Sequence, residues 1–189
     1  MKRLLISLIA VMFASALWAQ NQHLTFKGVP IDGTLNDYVV KMSAAGFTHL
    51  QTEDGIATLK GDFAGYKDCR IYVQTLKPKN LVSEIVVEFP ARTEWFEIES
   101  DYKKLKGMLT TKYGNPKEVR EEFQGNPSDG VKLSRIGDYE GFYYSIFELP
   151  NGKLTLIIKE GSWGLGYVDL WYSDKINSAK VEADALNDL

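Results

Sequence analysis

The chain has 189 residues, 44% of them hydrophobic, with 25 acidic and 22 basic side chains and a formal net charge of −3. Such a chain is large enough for one sizeable core or two small fused ones, and disorder is excluded except at the ends. Its mildly acidic balance gives no general attraction for nucleic acid or anionic lipid.

The first residues carry Lys2 and Arg3, then an apolar run from Leu4 to Trp18 interrupted only by Ser7 and Ser15. That is the layout of a secretory signal. The run falls short of the roughly 18 to 20 apolar residues that span a bilayer and lacks a basic stop-transfer flank, so a cleaved signal over 1–19 is expected instead of an anchor. Cleavage after Ala19, with Ala16 as the alternative, starts the mature chain near Gln20 or Asn21. No cysteine adjoins either site, which argues against a lipid anchor. Loss of Lys2 and Arg3 leaves 20 basic against 25 acidic side chains and moves the net charge from −3 to −5. The expected compartment is the periplasm or the exterior, with no transmembrane span in the mature chain.

A first strand is expected at Leu24 to Lys27, followed by turn chemistry at Gly28, Pro30 and Asp32-Gly33. Thr34, with Asp37 three residues on, starts a helix whose Leu35, Tyr38, Val39 and Met42 repeat at helical spacing, and Gly46 ends it. From Phe47 to Phe89 the period becomes two. Ala57, Leu59 and Phe63, then Ile71, Val73 and Thr75, then Ile85, Val87 and Phe89 mark strands, with Glu84 and Glu88 pointing the other way. Asp54-Gly55, Gly65-Tyr66 and Pro78-Lys79-Asn80 are the breaks, so three or four antiparallel strands are expected. Cys69 is the single cysteine, which forbids an intrachain disulfide, and it reads as a half-buried strand residue.

A longer helix is expected from about Thr93 to Tyr113, with Trp95, Ile98, Tyr102, Leu105 and Leu109 on one stripe and Gly114 and Pro116 as its stop. Gly125 to Asp129 reads as a polar loop. Strands follow at Val119–Phe123, Phe142–Leu149, Leu154–Glu160 and Tyr167–Tyr172, with Asn151-Gly152 as a hairpin turn. Ser178 to Leu189 reads as a short helix. The order, helix then strands twice over, predicts an α+β fold: tandem helix plus antiparallel-meander units, with helices on one face of the sheet. The halves run over 20–91 and 92–189, as two units or one domain. Alternation along the strands argues against a parallel sheet buried on both faces.

At HLTFKGVPIDGTL (23–35), EDGIATLKGDFAGY (53–66) and LTTKYGNP (109–116) the chain resembles an uncharacterised family of small exported proteins from gut Bacteroidales. That resemblance implies a compartment and no activity. The repeated helix-and-strands order also resembles, in topology, the beta-lactamase-inhibitor-protein-like fold and, more distantly, small outer-membrane assembly lipoproteins built on one such unit. Fold likeness alone implies no function.

Catalytic motifs are sought and not found. His23 and His49 lie at no metal-ligand spacing, and Asp32-Gly33 and Asp54-Gly55 lack the spaced oxygens of a calcium loop. Gly161-Ser162-Trp163-Gly164 looks like a glycine-flanked serine but falls in a turn between strands. There is no P-loop and no dinucleotide glycine pattern, so no cofactor and no metal are expected. Glu97, Glu99 and Asp101, or Glu118, Glu121 and Glu122, could supply acid and base for a glycosidase, but they read as solvated charge runs.

Aromatic density stands out in the second half. Tyr143 and Phe147 share one strand face and Phe142 and Tyr144 the other, while Tyr167 and Trp171 oppose Tyr172. One ring set must pack on the helices. The other either faces solvent as a recognition surface or is covered by the first half or the C-terminal helix. The sequence therefore points to an exported, non-catalytic binding domain. Tyr144, Trp163, Tyr167 and Trp171 would contact an envelope or extracellular protein. A carboxylate-dependent hydrolase and a structural or assembly subunit are the alternatives.

Overall fold

The computed structural model describes residues 22–76 and 80–187; the expected signal and the Pro78-Lys79 part of the third turn lie outside the described residues. Strands β1 (Thr25–Phe26) and β2 (Val29–Pro30) form a small hairpin ahead of helix α1 (Leu35–Ala44). A single strand was expected here. Instead Lys27 and Gly28 both take positive φ (51° and 79°), the two-residue turn whose twist matches antiparallel strands. Thr34 caps α1: its hydroxyl accepts the Asp37 amide at 3.3 Å and donates to the Asp37 carboxylate at 2.9 Å.

The first meander then runs through β3 (Thr48–Glu53), β4 (Ile56–Phe63), β5 (Tyr66–Leu76) and β6 (Leu81–Glu88). Asp54-Gly55 and Ala64-Gly65 turn the chain in the same left-handed way as Lys27-Gly28. Helix α2 (Trp95–Tyr113) follows and buries Trp95, Ile98, Tyr102, Leu105 and Leu109, the stripe read from its spacing. The second meander comprises β7 (Glu118–Phe123), β8 (Gly141–Leu149), β9 (Gly152–Glu160) and β10 (Gly166–Asp174), with α3 (Asp129–Gly137) inserted after β7 and α4 (Lys175–Asn187) closing the chain.

All eight long strands form one antiparallel sheet in the order β3-β4-β5-β6-β10-β9-β8-β7. The two meanders thus meet along their last strands, where Leu170 stands opposite Val87 and Tyr172 opposite Ile85. One face carries a continuous core. Leu59, Ile71, Val87, Leu170 and Leu156 line up across the join, all 2% exposed or less. Each such side chain contributes about 1.5–3 kcal/mol through burial. Tyr38 and Met42 of α1 and Ile98, Tyr102 and Leu105 of α2 pack on this face, and the Tyr102 and Ser145 hydroxyls share a buried hydrogen bond of 2.6 Å.

Several local expectations are corrected. Helix α3 falls in a segment for which no element was expected. Its apolar positions are few, and Leu133 is buried where it meets Gly166. The β8–β9 turn is Pro150-Asn151, and Gly152 already pairs with Leu149. Glycine is required there by close approach, because a Cβ would sit 2.3 Å from the Ser173 carbonyl oxygen. Cys69 is fully buried, and desolvation pushes its thiol up to about 11. Helix α4 starts three residues earlier than expected, since Asp174 accepts the Asn177 amide at 2.8 Å and opens it.

Candidate interaction surface

Opposite the helices the sheet shows its second face, and strand register places its residues in rows. One row reads Lys60, Arg70, Glu88, Asp169, Ile157, Tyr144 and Arg120 from β4 to β7. The next reads Thr58, Tyr72, Val86, Trp171, Thr155, Ile146 and Glu118. Val86 and Trp171 fill the middle of the second row, whereas the first row carries Lys60 and Arg70 toward β4, the Glu88–Asp169 pair on the central strands, then Ile157 and Tyr144, and Arg120 at the β7 end.

The two meanders lie side by side in one sheet, so neither covers the other. Helix α4 stands at one end of the face, where Lys175 and Ser178 border a cleft of about 520 Å³ with Glu84, Ser173, Glu148 and Lys153.

The four ring positions singled out in the sequence separate into two kinds. Tyr144, Tyr167 and Trp171 do share the second face and are half-buried. Their rings are held in place by neighbours. The Tyr144 hydroxyl donates to Glu118 at 2.5 Å, which raises its pKa, and the Tyr167 ring lies across Gly161, where a Cβ would meet it at 2.2 Å. Trp171 flanks Val86, which is 3% exposed although it lies on this face. Phe142 beside them carries the Arg120 guanidinium 3.6 Å from its centroid.

Trp163 is different. It sits in the short 3-10 turn Ser162–Gly164 between β9 and β10, is 95% exposed and takes φ 64°, ψ 30°. A bulky residue in this region costs about 1–2 kcal/mol relative to glycine. Tyr139, before β8 at the same end of the sheet, repeats the pattern with φ 61° and 79% exposure. It borders a cleft of about 410 Å³ with Phe142, Tyr144, Ile157 and Lys159. Sequence reasoning passed over Tyr139 because no periodic element surrounds it.

Also missed were two carboxylates on the second face. Asp169 is 2% exposed; its Oδ2 pairs with Lys159 at 3.1 Å, and its Oδ1 has no hydrogen-bond partner among the described residues. Burial raises its pKa, against the pull of Lys159 and of the nearby Trp171 indole N–H. That N–H likewise reaches hydrogen-bond geometry with nothing described. Glu88, directly opposite on β6, is raised by burial and then by Asp169, against the pull of Arg70 and Lys159, and among the described residues it accepts a hydrogen bond from the Tyr72 hydroxyl at 3.3 Å.

The other carboxylates are accounted for. Asp101 accepts from Tyr66 and Arg92, each at 2.9 Å, and Glu99 accepts from Tyr143 at 2.8 Å and Lys103 at 2.9 Å. These two are packed structural partners, not the solvated run expected for that helix. Glu118 and Glu122 lie exposed on edge strand β7, and Glu121 pairs with Lys106 across to α2. Among the described residues no group of three or more His, Cys, Asp or Glu could hold a metal ion. No described helix is long and apolar enough to cross a membrane. Compared with protein-family models, curated proteins and solved structures, the chain matches none.

Proposed function

We propose that the chain is an exported, non-catalytic binding domain that grips a protein partner in the cell envelope. The second face of the sheet is its contact surface, with Tyr144, Tyr167 and Trp171 in the face and Trp163 at its rim. The observation that carries this reading is Trp163. A tryptophan 95% exposed, in a backbone conformation that disfavours it, does nothing for the fold and matches the ring anchors that dominate protein interfaces. The sheet face beside it, which α4 borders only at the far end, presents Trp171, Ile157 and Tyr144 together with charged groups, a mixture of rings and polar groups that suits such an interface. The export-signal layout of the first residues supports a partner outside the cytoplasm.

The test is site-specific photocrosslinking in the envelope. A crosslinker at Tyr144 or Trp163 is expected to trap one discrete partner, and the same group at Lys41 on the exposed side of α1 is expected to trap nothing. Equal labelling from all three positions, or none, refutes the reading.

A further inference from the structure

We infer that a pocket on the helix side of the sheet binds a short alkyl carboxylate, its chain against Phe63, Leu105 and Leu109 and its head beside Lys112. The pocket lies on the opposite side of the sheet from the contact surface above and does not depend on it. Helix α1 packs chiefly on the first meander and α2 on β8 to β10, so the helix layer has a seam over the join of β6 and β10. Rings fill part of that seam: Phe26 stacks on Phe63 and meets Tyr172 edge-on, each at 5.2 Å between centroids. Beyond them, against α2, a pocket of about 170 Å³ remains, with Leu170 and Tyr172 of β10 in its lining.

The walls decide what it can hold. Leu105, Leu109, Phe63 and Ala64 give it apolar sides, and protein interiors ordinarily close around any space larger than a water molecule. A cavity of about 150 Å³ with such a lining holds benzene, so this one has room for about six carbons. Met108, 45% exposed, stands at the opening, and its unbranched side chain can move aside for a ligand.

The polar groups gather at one end. Along α2 the lining runs from Leu105 to Lys112 and Tyr113, a rise of about 10–12 Å. Among the described residues Lys112 is the one charged side chain of the lining, and its ammonium lies over the Tyr113 ring, 4.8 Å from the centroid. Tyr172, beside Tyr113, is 5% exposed; burial and then Tyr113 raise its pKa, with no hydrogen bond among the described residues contributing. A buried phenol and a cation at the end of an apolar slot suit a carboxylate that accepts from both. Lys112 also sits in the last turn of α2, where a cation offsets the helix's own carbonyl ends. That role acts on stability and is separable from ligand binding.

The test uses the mature chain with labelled methionine methyl groups. Met108 reports on the pocket, and Met42, fully buried under α1, is the control. Heptanoate is expected to shift the Met108 methyl saturably and leave Met42 in place. Neutral heptanamide is expected to bind about two- to fivefold more weakly, and heptylamine more weakly still. From butyrate to heptanoate each added methylene is expected to tighten binding by up to about fourfold, and the gain flattens beyond, where the pocket is full. Lys112→Gln is expected to erase the difference between heptanoate and heptanamide while both still bind, and Lys112→Arg to keep it. A lysine that serves only the helix end would lower the Tm of Lys112→Gln and leave that difference unchanged, which overturns the inference. Equal binding of the three probes, a gain per methylene that continues undiminished past heptanoate, or shifts that grow alike at Met42 and Met108 without saturating also overturn it.

Discussion

Asp174→Asn tests how the chain's ends are tied to the sheet. The wild-type carboxylate is fully buried and serves three donors: the Leu24 amide at 2.7 Å on Oδ2, and the Asn177 amide at 2.8 Å and His23 Nδ1 at 3.1 Å on Oδ1. Asn177 in turn donates to the carbonyls of Ile31 and Val82, at 3.1 and 2.8 Å, so a single side chain joins the N-terminal hairpin, α4 and β6. An asparagine keeps one acceptor oxygen and turns an NH₂ toward the other donors. At least one buried amide is then left open, at about 1–3 kcal/mol, and the charge-assisted bonds weaken as well, so a total near 3 kcal/mol is expected. For a domain of this size that is a fall in Tm of about 6–12 °C. Thermal melts and urea titration at neutral pH measure it, and hydrogen exchange at Leu24 and Asn177 shows whether the loss begins at the latch. A loss below about 1 kcal/mol, or amides at 24 and 177 that stay as protected as those of β10, would refute the argument.

Tyr102→Phe and Ser145→Ala are each expected to cost about 1–2 kcal/mol, because each strands the other's buried hydroxyl, while the double variant costs less than the two together. Additive losses in urea titrations count against the shared bond. Trp163→Asn is expected to hold or raise stability by up to about 1 kcal/mol, since asparagine tolerates the left-handed backbone, while partner trapping through Tyr144 falls. A destabilised variant means that the indole packs where it is 95% exposed, and the anchor role fails. Glu88→Gln bears on pH. Folding raises the Glu88 pKa, so the native state favours the protonated acid: that stabilisation is full below the ordinary glutamate range and is lost as pH rises through the raised value. The glutamine variant avoids the cost of ionisation, and its stability relative to wild type is expected to grow from about pH 4 toward neutrality. Urea midpoints across that range decide it. A variant that loses ground as pH rises makes Glu88 a structural ion.

Much of the fold was legible because its signals are local. The α2 stripe, the period-two runs and the Asp54-Gly55 turn each depend on a few neighbouring residues, and each appears where its spacing put it. Helix α3 was not legible. It is nine residues long with few apolar positions, and its buried Leu133 acquires a purpose only when Gly166, on a distant strand, leaves a hollow for it. The same division runs through the site. Alternation was enough to put Tyr144, Tyr167 and Trp171 on one face, but nothing along the chain sets Glu88 opposite Asp169, 81 positions away. That contact exists because the two meanders join along β6 and β10, and register is a property of the folded sheet.

The join also bears on why the second face should be read as a surface for binding. On the helix side most polar groups are paired, Tyr102 with Ser145, Tyr143 with Glu99 and Tyr66 with Asp101, although the Tyr38 hydroxyl and the Trp95 indole N–H have no partner among the described residues. On the other side, at the end of the sheet where β6 finishes and β10 begins, the fold tolerates opposed carboxylates, an open indole N–H and a tryptophan in a strained turn. The opposed carboxylates and the strained turn could each be relieved by one substitution, Glu88→Gln or Trp163→Asn, without touching the core. Local rules broken together at one place, where relief is so simple, mark a site held for a partner more often than a defect of packing. The stability of those two variants, measured beside their loss of partner, is therefore the comparison that decides between them.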